Sequence, residues 1–166
     1  MSLAPSLATG IATLGLALSE ERQQKLLDYV ALIVKWNKVY NLTAVREPQA
    51  MITQHLLDSL AVLPHLEGVT RLIDIGSGAG LPGIPLAIAS PNWHITLLDS
   101  NHKKTTFLRQ ACLELGLANV EVVCERVEAW ETSQRFDVVV SRALTDLPEF
   151  ARLAGRRVAP GGALAA

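Results

Sequence analysis

The stretch Leu72-Ile73-Asp74-Ile75-Gly76-Ser77-Gly78-Ala79-Gly80-Leu81-Pro82-Gly83-Ile84-Pro85 decides the fold. An apolar strand pattern runs into alternating glycines and then into a proline-marked helix start. Glycine has no Cβ, so such a loop can turn sharply and let a ligand approach the backbone closely. From Thr70 onward strands and helices alternate, which predicts a parallel sheet with helices on its faces. Strands are expected over 71–75, 94–99, 120–124 and 136–141, and helices over 84–89, 102–115 and 147–153, with a short turn near 127–130. Ala159-Pro160-Gly161-Gly162 is expected to turn into a fifth strand.

Upstream of the loop the periodicity is helical. Ser19 followed by Glu20 and Glu21 marks a helix start, because a hydroxyl caps free N–H groups and carboxylates favour the positive end of the helix dipole. The helix should reach about Val39, with Leu26, Leu27, Val30, Ile33 and Val34 on one side and Lys25, Asp28, Lys35 and Lys38 on the other. Pro48 suits a first helical turn and introduces a second helix over 49–63, before Pro64. The mildly apolar segment 3–18 lacks a preceding Lys or Arg and is interrupted by Pro5, Gly10 and Gly15. It is expected to pack on the domain and not to act as a signal peptide.

With 166 residues, 49% of them hydrophobic, the chain can bury the core of one domain. The expected organisation is a single α/β domain, residues 1–66 forming a helical cap and 67–166 a Rossmann-like core, without repeats or an interdomain linker. Fifteen Lys and Arg face 16 Asp and Glu, for a net charge of −1, so any polyanion site must be a local patch. Cys112 and Cys124 have no metal-ligand spacing and are too few for a disulfide framework, which predicts a reducing, cytoplasmic location and no metal. No run is long enough to span a bilayer.

A dinucleotide fingerprint, G-x-G-x-x-G, would need its third glycine at the position of Leu81, and the template fails there. Asp74 followed by Gly76, Gly78 and Gly80 instead resembles the first motif of the class I S-adenosylmethionine-dependent methyltransferases, which have a Rossmann-like sheet. Physical chemistry separates the two ligands. A pyrophosphate is anionic and prefers an open helix N-terminus, whereas S-adenosylmethionine carries a sulfonium cation beside a zwitterion, for which a carboxylate at Asp74 is suitable. Asp99, closing the second strand, can accept hydrogen bonds from ribose hydroxyls and supports an adenosyl ligand of either kind. Ala-Pro-Gly-Gly before the fifth strand also looks like a recurrent feature of methyltransferase sheets.

Four further motifs narrow the resemblance: Trp36-Asn37-Lys38-Val39-Tyr40-Asn41-Leu42-Thr43, His55-Leu56-Leu57-Asp58-Ser59, Gly80-Leu81-Pro82-Gly83-Ile84-Pro85 and Ser141-Arg142-Ala143. Together they resemble the bacterial RsmG family, also called glucose-inhibited division protein B, from about Ser19 to the end of the chain. That resemblance implies methylation of a guanine N7 in 16S small-subunit ribosomal RNA, with the RNA or the 30S particle as partner and a monomeric enzyme. It places the methionine part of the cofactor against Gly76 and Leu81 within the Asp74, Gly78 and Gly80 loop. It places the ribose at Asp99, the adenine at Val127 and Glu128, and Arg142 at the mouth of the reaction site, beside cofactor and substrate.

The residues are consistent with that chemistry. Guanine N7 has an in-plane lone pair and no proton to lose, so alignment suffices and no general base is required. Accordingly the fourth strand ends in Ser-Arg-Ala and not in the Asn/Asp-Pro-Pro-aromatic motif of amino-group methyltransferases, and neither cysteine follows a proline as in pyrimidine-C5 enzymes. Arg142 could grip guanine O6 or a phosphate through its planar fork, against the plainer reading of a salt bridge at a strand end. Lys103, Lys104 and Arg109, with Arg126 nearby, are candidates for RNA phosphate contacts, or else a solvated helix face. His55 and Asp58 stand close enough on one helix face to pair, a pairing better suited to packing than to catalysis. Trp36 and Tyr40 read as helix-docking residues before base-stacking ones.

RsmG-like chains usually continue past the fifth strand with more helix and a final antiparallel pair, so a sheet lacking its C-terminal strands is expected here. The rival readings are a methyltransferase acting on a small molecule or protein, and a noncatalytic cofactor-binding module. A nicotinamide-dependent dehydrogenase ranks behind both because of Leu81.

Overall fold

A computed structural model of the chain describes residues 2–142, 148, 151–152 and 155–165, with side chains described as far as 159. Five strands, β1 (Arg71–Ile75), β2 (His94–Asp99), β3 (Val120–Cys124), β4 (Phe136–Val140) and β5 (Val158–Ala165), form one parallel sheet in the order β3-β2-β1-β4-β5. The apolar runs of β1, β2 and β4 are buried on both sides, as parallel sheets covered by helices require, while the edge strand β3 is only half-buried. Strand order reverses between β1 and β4, where the register sets Asp74 beside Leu97 on one side and Val140 on the other. A crevice at such a switch point, outside the strand carboxyl ends, is where open α/β sheets bind ligands.

The turn expected at Ala159-Pro160-Gly161-Gly162 is instead taken up within β5. Pairing passes from Phe136 with Val158 to Val138 with Ala163, so the strand accommodates the extra residues as an irregularity in its ladder. A proline cannot donate to a ladder and glycine bends a strand readily, which accounts for the bulge falling there. The helix expected over 147–153 lies largely outside the described residues.

The N-terminal half supplies one helical layer. α1 (Leu3–Thr13) buries Leu7 and Ile11, and a Cβ on its Gly10 would meet Leu57 Cδ1 at 2.2 Å, so this glycine permits close helix contact. The segment thus packs on the domain as expected, but as a regular helix in which only Gly15, at φ +73°, is a true terminator. α2 (Glu20–Tyr40) begins where Ser19 accepts the Arg22 N–H and ends at left-handed Asn41.

The second expected helix forms from Pro48 to Leu60 but is irregular within. α3 (Pro48–Met51) passes into wide π-type turns over Ile52–Leu57, a short α4 (Asp58–Leu60) and a 3₁₀ turn at Leu63–His65. Within this stretch the Ser59 hydroxyl donates to the His55 carbonyl at 2.6 Å, a side-chain bond that competes with the backbone ladder. α5 (Gly83–Ala89) is buried along its whole length, and α6 (His102–Leu115) is capped by Asn101 and closed by left-handed Gly116.

These helices share one core with Leu72, Leu97, Val138 and Val140 on one sheet face, so residues 1–66 and the sheet are not separate hydrophobic units. Ile73, Ile75, Leu98 and Val139 point to the opposite face, where they pack against Val127 and Trp130.

Candidate cofactor and methyl-transfer site

The glycine loop is built from the end of β1. Gly76, Gly78 and Gly80 all have positive φ, at 71°, 59° and 96°. The Gly76 and Ser77 N–H groups both donate to the Leu98 carbonyl, at 2.7 and 3.1 Å, fastening the loop to β2. Gly80 and Leu81 N–H groups then donate to the Ser77 carbonyl, and the loop enters α5 through the cis Leu81–Pro82 bond.

Asp99 closes over this loop. Its Oδ2 accepts the Gly78 N–H at 2.8 Å and its Oδ1 the Asn101 N–H at 2.9 Å. Both oxygens are thereby oriented, and each retains a further lone pair for a ligand hydroxyl. Beside Asp99 lies a cleft of about 260 Å³ bounded by Gly76, Ser100, Lys104, Glu125, Val127 and Glu128. Gly76, Asp99, Val127 and Glu128 are thus brought together from three separate segments, as expected of one binding site. A larger groove, about 490 Å³, lies between Arg22, Lys25 and the Gly116–Asn119 turn, away from the strand carboxyl ends.

Asp74 is placed differently from the sequence expectation of a carboxylate facing a ligand. Its side chain is completely buried under the loop, where Oδ2 accepts the Gly83 N–H at 2.9 Å. Burial pushes its pKa up to about 8, opposed by the Gly83 and Ser77 hydrogen bonds and by the Arg142 charge. Oδ1 is a buried oxygen without a hydrogen-bond partner among the described residues. Asp74 therefore fixes the junction between loop and α5, and leaves one polar atom to be satisfied from the site.

Arg142, just past β4, donates to Asp58 Oδ2 at 2.9 Å and to the Gln54 carbonyl at 3.4 Å. The salt bridge foreseen as the plainer reading is formed, although the guanidinium remains partly exposed at the strand ends. This also corrects the expected pairing of His55 with Asp58. Asp58 turns to Arg142, while His55 Nε2 is 2.9 Å from the Thr43 hydroxyl. Burial, reinforced by Arg142, lowers the His55 pKa.

The basic trio on α6 is dispersed. Lys104 lines the cleft, Lys103 is exposed beside it, and Arg109 lines a separate groove with Cys112 and Leu113. Arg126 is 3.8 Å from Glu128. Trp36 packs edge-on against Tyr40 and against Phe107 of α6, the helix-docking role expected of it.

Two residues shape the site without belonging to any motif read for function. The Tyr29 hydroxyl, buried on α2, donates to the Ala79 carbonyl at 2.6 Å and so braces the glycine loop. Gln54 holds Arg142 through its backbone alone. A buried tyrosine among leucines must find a partner for its hydroxyl, which is the one signal Tyr29 gives; a backbone contact such as that of Gln54 gives none.

Solved structures share the architecture. Coclaurine N-methyltransferase bound to N-methylheliamine and SAH superposes with a TM-score of 0.63 at 16% identity, over 98% of this chain and 55% of that one. A putative O-methyltransferase from Klebsiella pneumoniae gives 0.57 at 20% identity, over 82% of this chain and 63% of that one. Fold, glycine loop and cleft define a class I S-adenosylmethionine-dependent methyltransferase with a Rossmann-like sheet.

The sequence comparisons go further. The family model described as GidB, rRNA small subunit methyltransferase G, matches residues 22–166, and the chain belongs to that family. The ribosomal RNA small subunit methyltransferase G of Laribacter hongkongensis is 58% identical over 166 residues, 100% of this chain and 80% of its own length. That of Nitrosospira multiformis is 58% identical over 161 residues, 97% of this chain and 74% of its own length.

Proposed function

We propose that this chain transfers the methyl group of S-adenosylmethionine to N7 of a guanine in bacterial 16S ribosomal RNA. The observation that carries the reading is the conjunction of Asp99, the Gly76–Gly80 turn and Val127–Glu128 around one cleft at the carboxyl ends of β1, β2 and β3, in a chain of the methyltransferase G family. The residues fit the cofactor. Glycine backbone offers close approach, Asp99 retains acceptor capacity, and the buried Asp74 Oδ1 beneath the loop has no hydrogen-bond partner among the described residues.

When bound, S-adenosylmethionine supplies an electrophilic methyl group on a sulfonium. Gly76 and Leu81 would hold its methionine end, Asp99 the ribose hydroxyls, and Val127 and Glu128 the adenine side. Asp74, with Gly78 and Gly80, sets the loop that makes those contacts. Arg142, aimed by Asp58 and Gln54, would present its N–H fork to guanine O6 or an adjoining phosphate and hold N7 in line with the methyl group. No residue is asked to remove a proton, since guanine N7 carries none.

In this reading the chain acts as one domain, residues 1–66 capping the core, working as a cytoplasmic monomer on the assembled 30S particle. The deciding experiment supplies labelled S-adenosylmethionine and small subunits from cells lacking the endogenous enzyme, and maps the label. Label on a single guanine N7 is expected. Label on a base amino group, on a ribosomal protein, or nowhere despite cofactor binding would overturn the assignment. Comparing intact particles with deproteinised RNA tests the particle as substrate, since equal transfer to both would remove that part.

A further inference from the structure

With a net charge of −1, the protein has no general attraction for a polyanion, so RNA must meet it where positive charge is concentrated. Such a place exists on the helical layer. Lys35, Trp36, Val39 and Tyr40 line a groove of about 240 Å³ at the C-terminal end of α2, and Val39 is 72% exposed there. The charges on α2 are mixed before Tyr29, where Glu20, Glu21 and Asp28 stand with Arg22 and Lys25, whereas only Lys35 and Lys38 follow it, and no carboxylate occurs again before Glu47.

α6 carries two of its three cations at its start, with Arg109 further along. Lys103 and Lys104 lie in its first turn, and its one carboxylate, Glu114, lies near its end. The two helices pack antiparallel: Glu21 and Arg22 share a groove with Gly116 just beyond α6, while Trp36 meets Phe107 in the N-terminal half of α6. Both basic ends therefore fall on one side. Lys103 stands one turn before Phe107, the residue that Trp36 meets, and its neighbour Lys104 borders the cofactor cleft.

We infer that this groove is a docking surface for unpaired nucleotides of the ribosomal RNA substrate. Aromatic and apolar side chains there offer a base a stacking surface, Lys35 lines it with positive charge for a phosphate, and the exposed Lys38 adds charge at the same end of α2. Continuity through Lys103 and Lys104 leads from the groove to the methyl-transfer cleft. The inference rests on the proposed RNA substrate but is tested by binding, so it can fail separately from the reaction.

The experiment measures binding of deproteinised 16S ribosomal RNA to the full chain and to Lys35→Glu/Lys38→Glu over a series of salt concentrations. Both side chains are exposed, so folding should be unaffected, and S-adenosylmethionine affinity serves as the check. The double variant should bind RNA on the order of tenfold or more weakly at low salt, with a salt slope reduced by roughly 1 to 2. Lys35→Arg/Lys38→Arg should bind like the parent, and Val39→Asp should weaken binding without altering cofactor affinity. Equal RNA binding and equal salt slopes for the parent and Lys35→Glu/Lys38→Glu would overturn the inference. So would loss of binding only to intact particles, which would assign the groove to a ribosomal protein. Failure of the parent to methylate intact small subunits, while it still binds the RNA, would refute the proposed reaction and leave this comparison decisive.

Discussion

The hydroxyl of Tyr29 donates to the carbonyl of Ala79, 50 residues away in sequence, at 2.6 Å and out of contact with solvent. The helical layer thereby holds the glycine loop from behind, while Asp99 holds it from the front through the Gly78 N–H. Tyr29→Phe would leave the buried Ala79 carbonyl unpaired, at a cost of about 1–3 kcal/mol. The expected result is a lower melting temperature and several-fold weaker S-adenosylmethionine binding, with kcat largely retained at saturating cofactor. Calorimetric titration together with steady-state kinetics would show this. An unchanged cofactor affinity would mean that the loop holds its shape without the brace.

Arg142 and Asp58 form a partly exposed ion pair, which should contribute little to stability, below about 1 kcal/mol. Its importance is expected in positioning. Arg142→Lys keeps the charge but loses the planar fork, and methyl transfer should fall by roughly tenfold or more with S-adenosylmethionine affinity preserved. Asp58→Asn should raise the KM for RNA while leaving the melting temperature nearly unchanged. Near-parental turnover of Arg142→Lys would reduce the arginine to a surface salt bridge.

Much of this architecture is legible in residue order because local signals and tertiary packing agree. Ser19 caps α2 as its side chain predicts, and the apolar runs at 71–75, 94–99 and 120–124 become strands at those bounds. The second cap helix is less legible because Ser59 diverts a backbone carbonyl, a competition that apolar periodicity does not register. In the site, Asp99 is readable as a carboxylate closing a strand. The burial of Asp74 depends on α5 folding back across it, and the choice of Arg142 over His55 as the partner of Asp58 depends on where β4 ends. Both are long-range facts that spacing along one helix or strand does not contain.

Gly83 is required by space as well as by its hydrogen bond. A Cβ there would lie 2.2 Å from Leu97 Cδ2 and 2.9 Å from Asp74 Oδ2. Gly83→Ala must therefore push α5 away from the sheet, and a loss of about 1–3 kcal/mol is expected. Because α5 carries the loop's exit, cofactor affinity should fall with stability. Chemical denaturation and a binding titration on the same preparation would test the linkage, and a fully stable Gly83→Ala chain would contradict this packing.

Asp74 makes stability depend on pH in a direction opposite to that of a salt-bridged carboxylate. Its pKa, raised to about 8 by burial, means that between about pH 4 and pH 8 the folded chain retains a proton the unfolded chain has released. The contribution from this group is fully present below the unfolded pKa and is lost as pH rises through the folded one. Asp74→Asn retains an acceptor for the Gly83 N–H but cannot ionise, so it should flatten the decline in melting temperature from about pH 6 to about pH 9. The measurement is the difference between parent and variant melting temperatures across that range. A difference that grows in the variant's favour with rising pH is expected, because only the parent must then bury an ionised carboxylate. A constant difference would show instead that Asp74 is ionised throughout, held by Gly83 and the Arg142 charge against the cost of burial.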